Sequence, residues 1–336
     1  MVTGYIIFLF ILTGCIGTEK QNLADDKKIS ELEQQIEELQ QQVSYVKKEP
    51  TVSHVETTDH ERPPVIKLID PSTFTVIKTI SPYELGYDLD YASYVLEIEQ
   101  LAKDLARGSD SFSGFDQRMV LDKLDSNGQI IKGSPMVILK ESELVENILA
   151  VSSSGGHVEL PLYKTESSYN VEDLPRLQEV VVASYTTYFN TADPGRNKNI
   201  ELSAKAINNV IVGSGDQFSF NMMVGPRDEE NGYQPAPEII NSKLVMGIGG
   251  GVCQTSSTLY NAVDQVLIDS IERHHHSLDV GYVPKGQDAT VAYGISDYRF
   301  QNVSSVPFLI KANYGNGSLT IEVRTSKDYA SILKKP

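Results

Sequence analysis

Hydrophobic and polar positions change rhythm several times along this chain, and each change marks a different element. Tyr5-Ile6-Ile7-Phe8-Leu9-Phe10-Ile11 is an unbroken apolar run, closed by Leu12-Thr13-Gly14-Cys15. The run is well short of the roughly 20 residues that a spanning helix needs. With a small-residue site directly before a cysteine, it predicts a lipoprotein-type signal over residues 1–14, although Met1–Gly4 carries no Lys or Arg. Lipid attachment then falls on Cys15, which would tether the protein to the extracytoplasmic face of the cell membrane. Next, Ile29, Leu32, Ile36, Leu39, Val43 and Val46 recur at alternating spacings of three and four, with Glu and Gln between them. That is the seam of a coiled coil, so residues 15–48 are expected to form a helical stalk capable of weak homo-oligomerisation. Residues 49–64 are polar, aperiodic and bounded by proline, which predicts a linker.

Beyond the linker the pattern becomes that of folded domains. Val65–Ile69, Thr75–Ile77 and Pro135–Leu139 read as strands, Tyr94–Arg107 and Glu141–Leu149 as helices. Together they define a small α+β accessory domain over residues 65–175. A second domain, 176–326, opens with alternation over Val181–Tyr188 and a helical stretch at Lys198–Asn208. It closes with two alternating runs, Pro307–Ala312 and Leu319–Val323, around Gly315-Asn316-Gly317, an antiparallel hairpin signal. Residues 327–336 read as a tail. Helices come early and strands late without βαβ alternation, so the fold class is α+β: a helix packed on a mainly antiparallel sheet.

Composition sharpens this picture in two ways. The net charge of −16, most of it before residue 200, argues against nucleic acid as a partner, because phosphate binding needs a basic face. Only two cysteines occur. Once Cys15 is acylated, Cys253 has no partner for a disulfide, which is unusual for an exported protein.

Cys253 follows Gly249-Gly250-Gly251-Val252 and opens a helical pattern with its apolar face at Leu259, Ala262, Val263 and Val266. A thiol at a helix N-terminus meets free N–H groups and the positive end of the macrodipole, both of which favour thiolate. Gly250 and Gly251 let the backbone approach a substrate, and the Gln254 amide with the helix N–H groups could form an oxyanion hole. A thiolate nucleophile also needs a base. His54, His60 and His157 look incidental, which leaves His274, His275 and His276. If Arg273–Val280 is extended, His274 and His276 share one face; His276 is the chosen base, with His274 as orienter or substitute. Asp288 and Asp297 both follow and could hold the imidazole; Asp288 is the choice. A zinc site built from one Cys and two His lacks specific ligand spacing, so no metal or cofactor is expected. The bland alternative is a buried, inert cysteine in a tight turn. Phe218, Phe220 and Val224 are read as core.

A succession of motifs carries a resemblance: Asp216–Asn221, Val224-Gly225-Pro226-Arg227, Gly232-Tyr233, Ala236-Pro237, Gly249–Gln254, Glu272-Arg273, His276-Ser277 and Tyr282–Val291. In this order they resemble the VanW family over roughly residues 180–323. The resemblance implies a surface-attached protein of Gram-positive bacteria, linked to peptidoglycan and sometimes to glycopeptide resistance. It places a peptidoglycan-binding-like domain where residues 65–175 lie. It further implies a cysteine L,D-transpeptidase in which Cys253 forms a thioacyl-enzyme with stem peptides and 3-3 cross-links result. Stem peptides carry several carboxylates, so Arg227, Arg273 and Arg299 are candidate clamps, with Arg227 preferred. Two rivals stay open: a papain- or NlpC-like endopeptidase using water as acceptor, and a non-catalytic wall-binding or assembly module.

Overall fold

The computed structural model describes residues 63–335, apart from 110–111, 241–242 and 316. The expected signal segment, lipid site at Cys15, stalk and most of the expected linker lie outside the described residues. Among those described, no helix is long and apolar enough to cross a membrane.

The architecture is α+β, with sheets that are mainly antiparallel. The largest has six strands in the order Ile130–Ile131, Lys123–Leu124, Val210–Val212, Phe308–Gly315, Ser318–Thr325 and Val180–Tyr188, all neighbours antiparallel. Its centre is the hairpin read from the sequence, paired from Leu309 with Arg324 to Gly315 with Ser318. Along Ser318–Thr325 every second residue is buried, which puts Leu319, Ile321, Val323 and Thr325 on one face. Each such aliphatic side chain contributes about 1.5–3 kcal/mol by leaving water. The first two strands of this sheet come from residues before 175, so the sheet spans both stretches that the sequence separates.

Two smaller sheets sit near the large one. Gln217–Ser219, Arg299–Asn302 and Ile268–Glu272 make a three-stranded antiparallel sheet, and Pro235–Ile240 with Lys243–Ile248 forms a hairpin. The Val252–Val263 helix lies against the buried face of the large sheet. Leu259, Ala262, Val263 and the following Val266 are fully buried there with Phe218, Phe300, Phe308, Ile310 and Ile321. Leu333 joins the same core and Lys334 bridges to Val266, so the final segment is packed onto the fold.

Residues before 175 have a core of their own. Tyr94, Ile98 and Ala102 on the Tyr91–Arg107 helix meet Leu144 and Ile148 on the Glu141–Ala150 helix, over Ile66, Leu68 and Val158. Asp90 caps the first helix by accepting from the Ser93 N–H at 3.1 Å. One pairing here is parallel, Ile66–Ile69 with Gly156–Glu159, an exception to the antiparallel pattern.

Two boundaries differ from the sequence reading. The helix expected over Lys198–Asn208 runs from Pro194 to Ile207. Asp193 caps it, accepting from the Arg196 N–H at 3.1 Å, and Pro194 takes a first-turn position where its missing N–H costs nothing. The stretch 273–280 is not a strand. Pairing with Arg299–Asn302 ends at Glu272 after an irregularity between Ser270 and Glu272, and the chain leaves the sheet there.

Candidate active site

The Val252–Val263 helix begins at Gly251, whose φ of 107° is left-handed and suits only glycine well. Just before it, Gly250 passes so close to the hairpin that a Cβ would stand 2.6 Å from the Ala236 and Pro237 carbonyl oxygens. These two positions set the helix start, and with it Cys253, at the rim of a cavity of about 700 Å³. The cavity is lined by Cys253, His276, Tyr282, Arg196, Arg227 and the inner wall of the Pro235–Ile248 hairpin.

The helix carrying the thiol is unusually rich in buried polar residues: Gln254, Thr255, Ser256, Ser257, Thr258 and Asn261. Each hydroxyl or amide has a partner. Thr255 bonds Ser203 at 2.7 Å and Thr258 bonds Thr187 at 2.8 Å. More important for the site, Ser256 donates to the Ala289 carbonyl at 2.5 Å, Ser257 accepts from the Ala289 N–H at 2.9 Å, and Asn261 donates to the Gln287 carbonyl at 2.7 Å. The helix thus clamps Gln287–Ala289 on both sides of Asp288, a buried residue whose carboxylate position is thereby fixed.

Asp288 in turn organises the histidines. Its Oδ2 accepts the His276 backbone N–H at 2.7 Å and lies 2.6 Å from His276 Nδ1; its Oδ1 lies 2.9 Å from His275 Nδ1. With Nδ1 held by Asp288, the other ring nitrogen of His276 is left for the Cys253 thiol, which the imidazole is near enough to act on, while Sγ donates to the Val291 carbonyl at 3.4 Å. Val291 adds its N–H to Sγ at 3.5 Å, and the Thr290 hydroxyl stands 3.7 Å away.

The charges follow from this geometry. Burial works against a thiolate at Cys253, but the bond and charge of His276, then Val291 and Thr290, outweigh it, and the thiol titrates below its ordinary value. Burial likewise opposes the His276 cation, yet Cys253 and Asp288 together raise the imidazole. At Asp288 burial is overcome by the His276 N–H and the two imidazoles, which hold the carboxyl down at about 2. Both shifts favour a thiolate–imidazolium pair over the neutral pair. Among the described residues, no group of three or more His, Cys, Asp or Glu is arranged to hold a metal ion.

Cys253, His276 and Asp288 thus stand together, whereas other expectations do not survive the tertiary structure. His274 neither orients nor replaces the base: its ring bonds Glu272 at 3.1 Å, and it is His275 that shares Asp288. The face argument fails because the strand ends at Glu272 and residues 273–280 keep only an isolated bridge, His274 with Thr290. Gln254 is buried with its amide fully engaged, donating to Thr187 and Tyr188 and accepting from Arg196 Nη2 at 2.7 Å. That amide supports Arg196 and has no donor left for an oxyanion. Asp297 caps a different turn, accepting from Ser219 and the Asn221 N–H and pairing with Arg118. Arg299 pairs with Glu272 at 3.6 Å, and Arg273 lies 4.1 Å from the Tyr260 ring and bonds Gly286. Arg227 does line the cavity. Sequence reasoning missed Arg196 and Tyr282. Pro194-Gly195-Arg196 carries a helix-start signal, but nothing local says that Arg196 bonds Gln254 and shares a cavity with Cys253 far along the chain.

The fold and this site define a cysteine–histidine–aspartate protein on an α+β scaffold. The profile of the family described as VanW like protein matches residues 195–324. The uncharacterized protein YoaR of Bacillus subtilis (strain 168) is 36% identical over 249 residues, covering 74% of this chain and 79% of YoaR. The vancomycin B-type resistance protein VanW of Enterococcus faecalis (strain ATCC 700802 / V583) is 27% identical over 141 residues, 40% of this chain and 51% of that protein. No solved structure matches. The chain belongs to the VanW family.

Proposed function

We propose that this protein is a cysteine L,D-transpeptidase of the cell envelope, tethered through lipid on Cys15, with residues 65–175 as an accessory wall-binding domain. The reading is carried by one observation: Cys253 and His276 line the same cavity, near enough to shift each other's titration, and Asp288 fixes the imidazole through Nδ1.

In the first half-reaction the Cys253 thiolate attacks the carbonyl of the third residue of a tetrapeptide stem. The Cys253 N–H at the helix start stabilises the tetrahedral oxyanion, since those of Val252 and Gln254 already bond the Gly249 and Gly251 carbonyls. As the C–N bond breaks, the His276 imidazolium gives its proton to the departing D-alanine amine and a thioester remains. In the second half-reaction His276 takes a proton from the side-chain amine of another stem. That amine attacks the thioester, the C–S bond breaks, the thiolate returns, and a 3-3 cross-link has formed. Asp288 holds one tautomer and stabilises the imidazolium throughout.

Full-length protein incubated with a disaccharide-tetrapeptide tests this by mass spectrometry. The expected result is an adduct on Cys253 with loss of D-alanine, followed by 3-3 dimers, both absent from Cys253→Ala. Adducts that resolve to shorter stems without dimers would instead assign water as the acceptor. No adduct, with wild type and variant binding the fragment alike, would leave a wall-binding module.

A further inference from the structure

Two guanidinium groups in the cavity make no ion pair among the described residues. Arg227 sits between the rings of Phe220 and Tyr293, its Cζ 5.6 and 5.7 Å from their centroids. Its Nη1 and Nη2 are buried, and neither meets a hydrogen-bond partner among the described residues. A buried cationic fork left unpaired is costly, and native proteins rarely keep one unless something else completes it. Arg196 lines the same cavity, held by Gln254 at 2.7 Å and in no ion pair among the described residues. Both groups are close enough to Cys253 for its charge to act on them. Two other charged residues line the cavity. Asp193 is occupied capping the helix of Arg196, and Glu238 lies on the hairpin wall over Gly247.

We infer that Arg227, with Arg196 beside it, forms a carboxylate-recognition site, so that the substrate is a peptide with a free carboxylate within one or two residues of the carbonyl that Cys253 attacks. The protein would then act on chain ends and reject internal peptide bonds. A planar fork with two free N–H edges matches a carboxylate in bidentate fashion, which neither a lysine nor a neutral donor reproduces. Buried Nη atoms beside the Phe220 and Tyr293 rings are shielded from water, so an anion that reaches them is worth more there than at an open surface. The inference deepens the acyl-transfer reading but rests on it only for the identity of the attacked carbonyl.

Alkylation tests the site without any transpeptidation. Iodoacetate and iodoacetamide both react by thiolate displacing iodide, so the ratio of their rates cancels the thiolate fraction and reports only the local welcome for an anion. On the full-length protein this ratio should exceed that of glutathione by about tenfold or more, as a charge-assisted pair predicts. It should fall to the glutathione value in Arg227→Gln, fall partly in Arg196→Gln, and recover incompletely in Arg227→Lys. Glu238→Gln should raise it. A wild-type ratio equal to that of glutathione, or one unmoved by Arg227→Gln, would overturn the inference. Calorimetry on Cys253→Ala, with a tetrapeptide ending in D-alanine and with its C-terminal amide, gives a thiol-independent answer. Preference for the acid, lost on adding Arg227→Gln, supports the site; equal binding of acid and amide, or no binding of either, refutes it. If Cys253 resists both reagents in the folded protein, the acyl-transfer reading falls while the calorimetry still decides this one.

Discussion

Asp288→Asn is the sharpest perturbation of the proposed chemistry, because the variant keeps the shape and removes the charge. In the wild type both carboxylate oxygens accept, one from the His276 N–H and ring, the other from His275. Asparagine has one acceptor oxygen. Its amide nitrogen must either oppose a donor or force His276 Nδ1 to accept, which puts the ring proton on the nitrogen facing the thiol. The carboxyl stands at about 2 against an ordinary 3.8, so its partners favour the charged form by about 2 kcal/mol. That energy is shared among three donors. Losing the His276 share should raise the thiol and slow iodoacetamide labelling near pH 6.5 roughly tenfold. Acylation should suffer more, since the wrong tautomer cannot accept the thiol proton.

The same shift has a stability consequence with a definite sign. A depressed carboxyl contributes stability that is present above its unfolded value near 4 and is lost as pH falls through about 2. Urea unfolding should therefore show Asp288→Asn less stable by about 2 kcal/mol at pH 7, with the difference shrinking between pH 4 and pH 2. A variant whose labelling profile and pH 7 stability both match the wild type would refute the relay.

Other outcomes follow from the same geometry. Wild-type labelling by iodoacetamide should already be fast below the ordinary thiol range, because Cys253 is lowered, and should lose its imidazolium assistance only above the ordinary imidazole range, because His276 is raised; a stopped-flow pH profile with a single step at the free-thiol value would contradict this. Gly250→Ala should destabilise the protein by about 1–3 kcal/mol in urea titrations, since its Cβ would meet two backbone oxygens at 2.6 Å that cannot move independently. Ser257→Ala leaves the Ala289 N–H without its 2.9 Å acceptor and should cost about 1–3 kcal/mol. It should also loosen Asp288 enough to lower the labelling rate. His274→Ala should leave labelling of Cys253 near wild type, since that ring faces Glu272.

Much of the scaffold is legible in local pattern, and the site only in part. The hairpin around Gly315, the helix behind the glycine run and the alternating strand at Val180–Tyr188 are local signals, and the structure has them. Phe218 and Phe220 are fully buried, as their setting implied. The histidines were harder. A periodicity argument works only while the chain stays in a sheet, and at Glu272 it leaves one. His275 and His276 then turn to the same carboxylate because the helix holds Gln287–Ala289 in place, a tertiary constraint with no local trace.

What the sequence determined by itself was the chemistry on offer: a cysteine at a helix start, a histidine cluster, a nearby aspartate, and an ordered set of motifs naming the family. Such features live in short windows, where backbone propensity, side-chain type and spacing act directly. What only the tertiary structure decided was which groups meet. Selection of His276 over His274, engagement of Gln254 with Arg196, and the fork of Arg227 beside Phe220 and Tyr293, without a hydrogen-bond partner among the described residues, all join separate segments of the fold. Their positions follow from buried hydroxyls and amides that must find partners once the helix is packed on its sheet, and that requirement exists only in the folded protein.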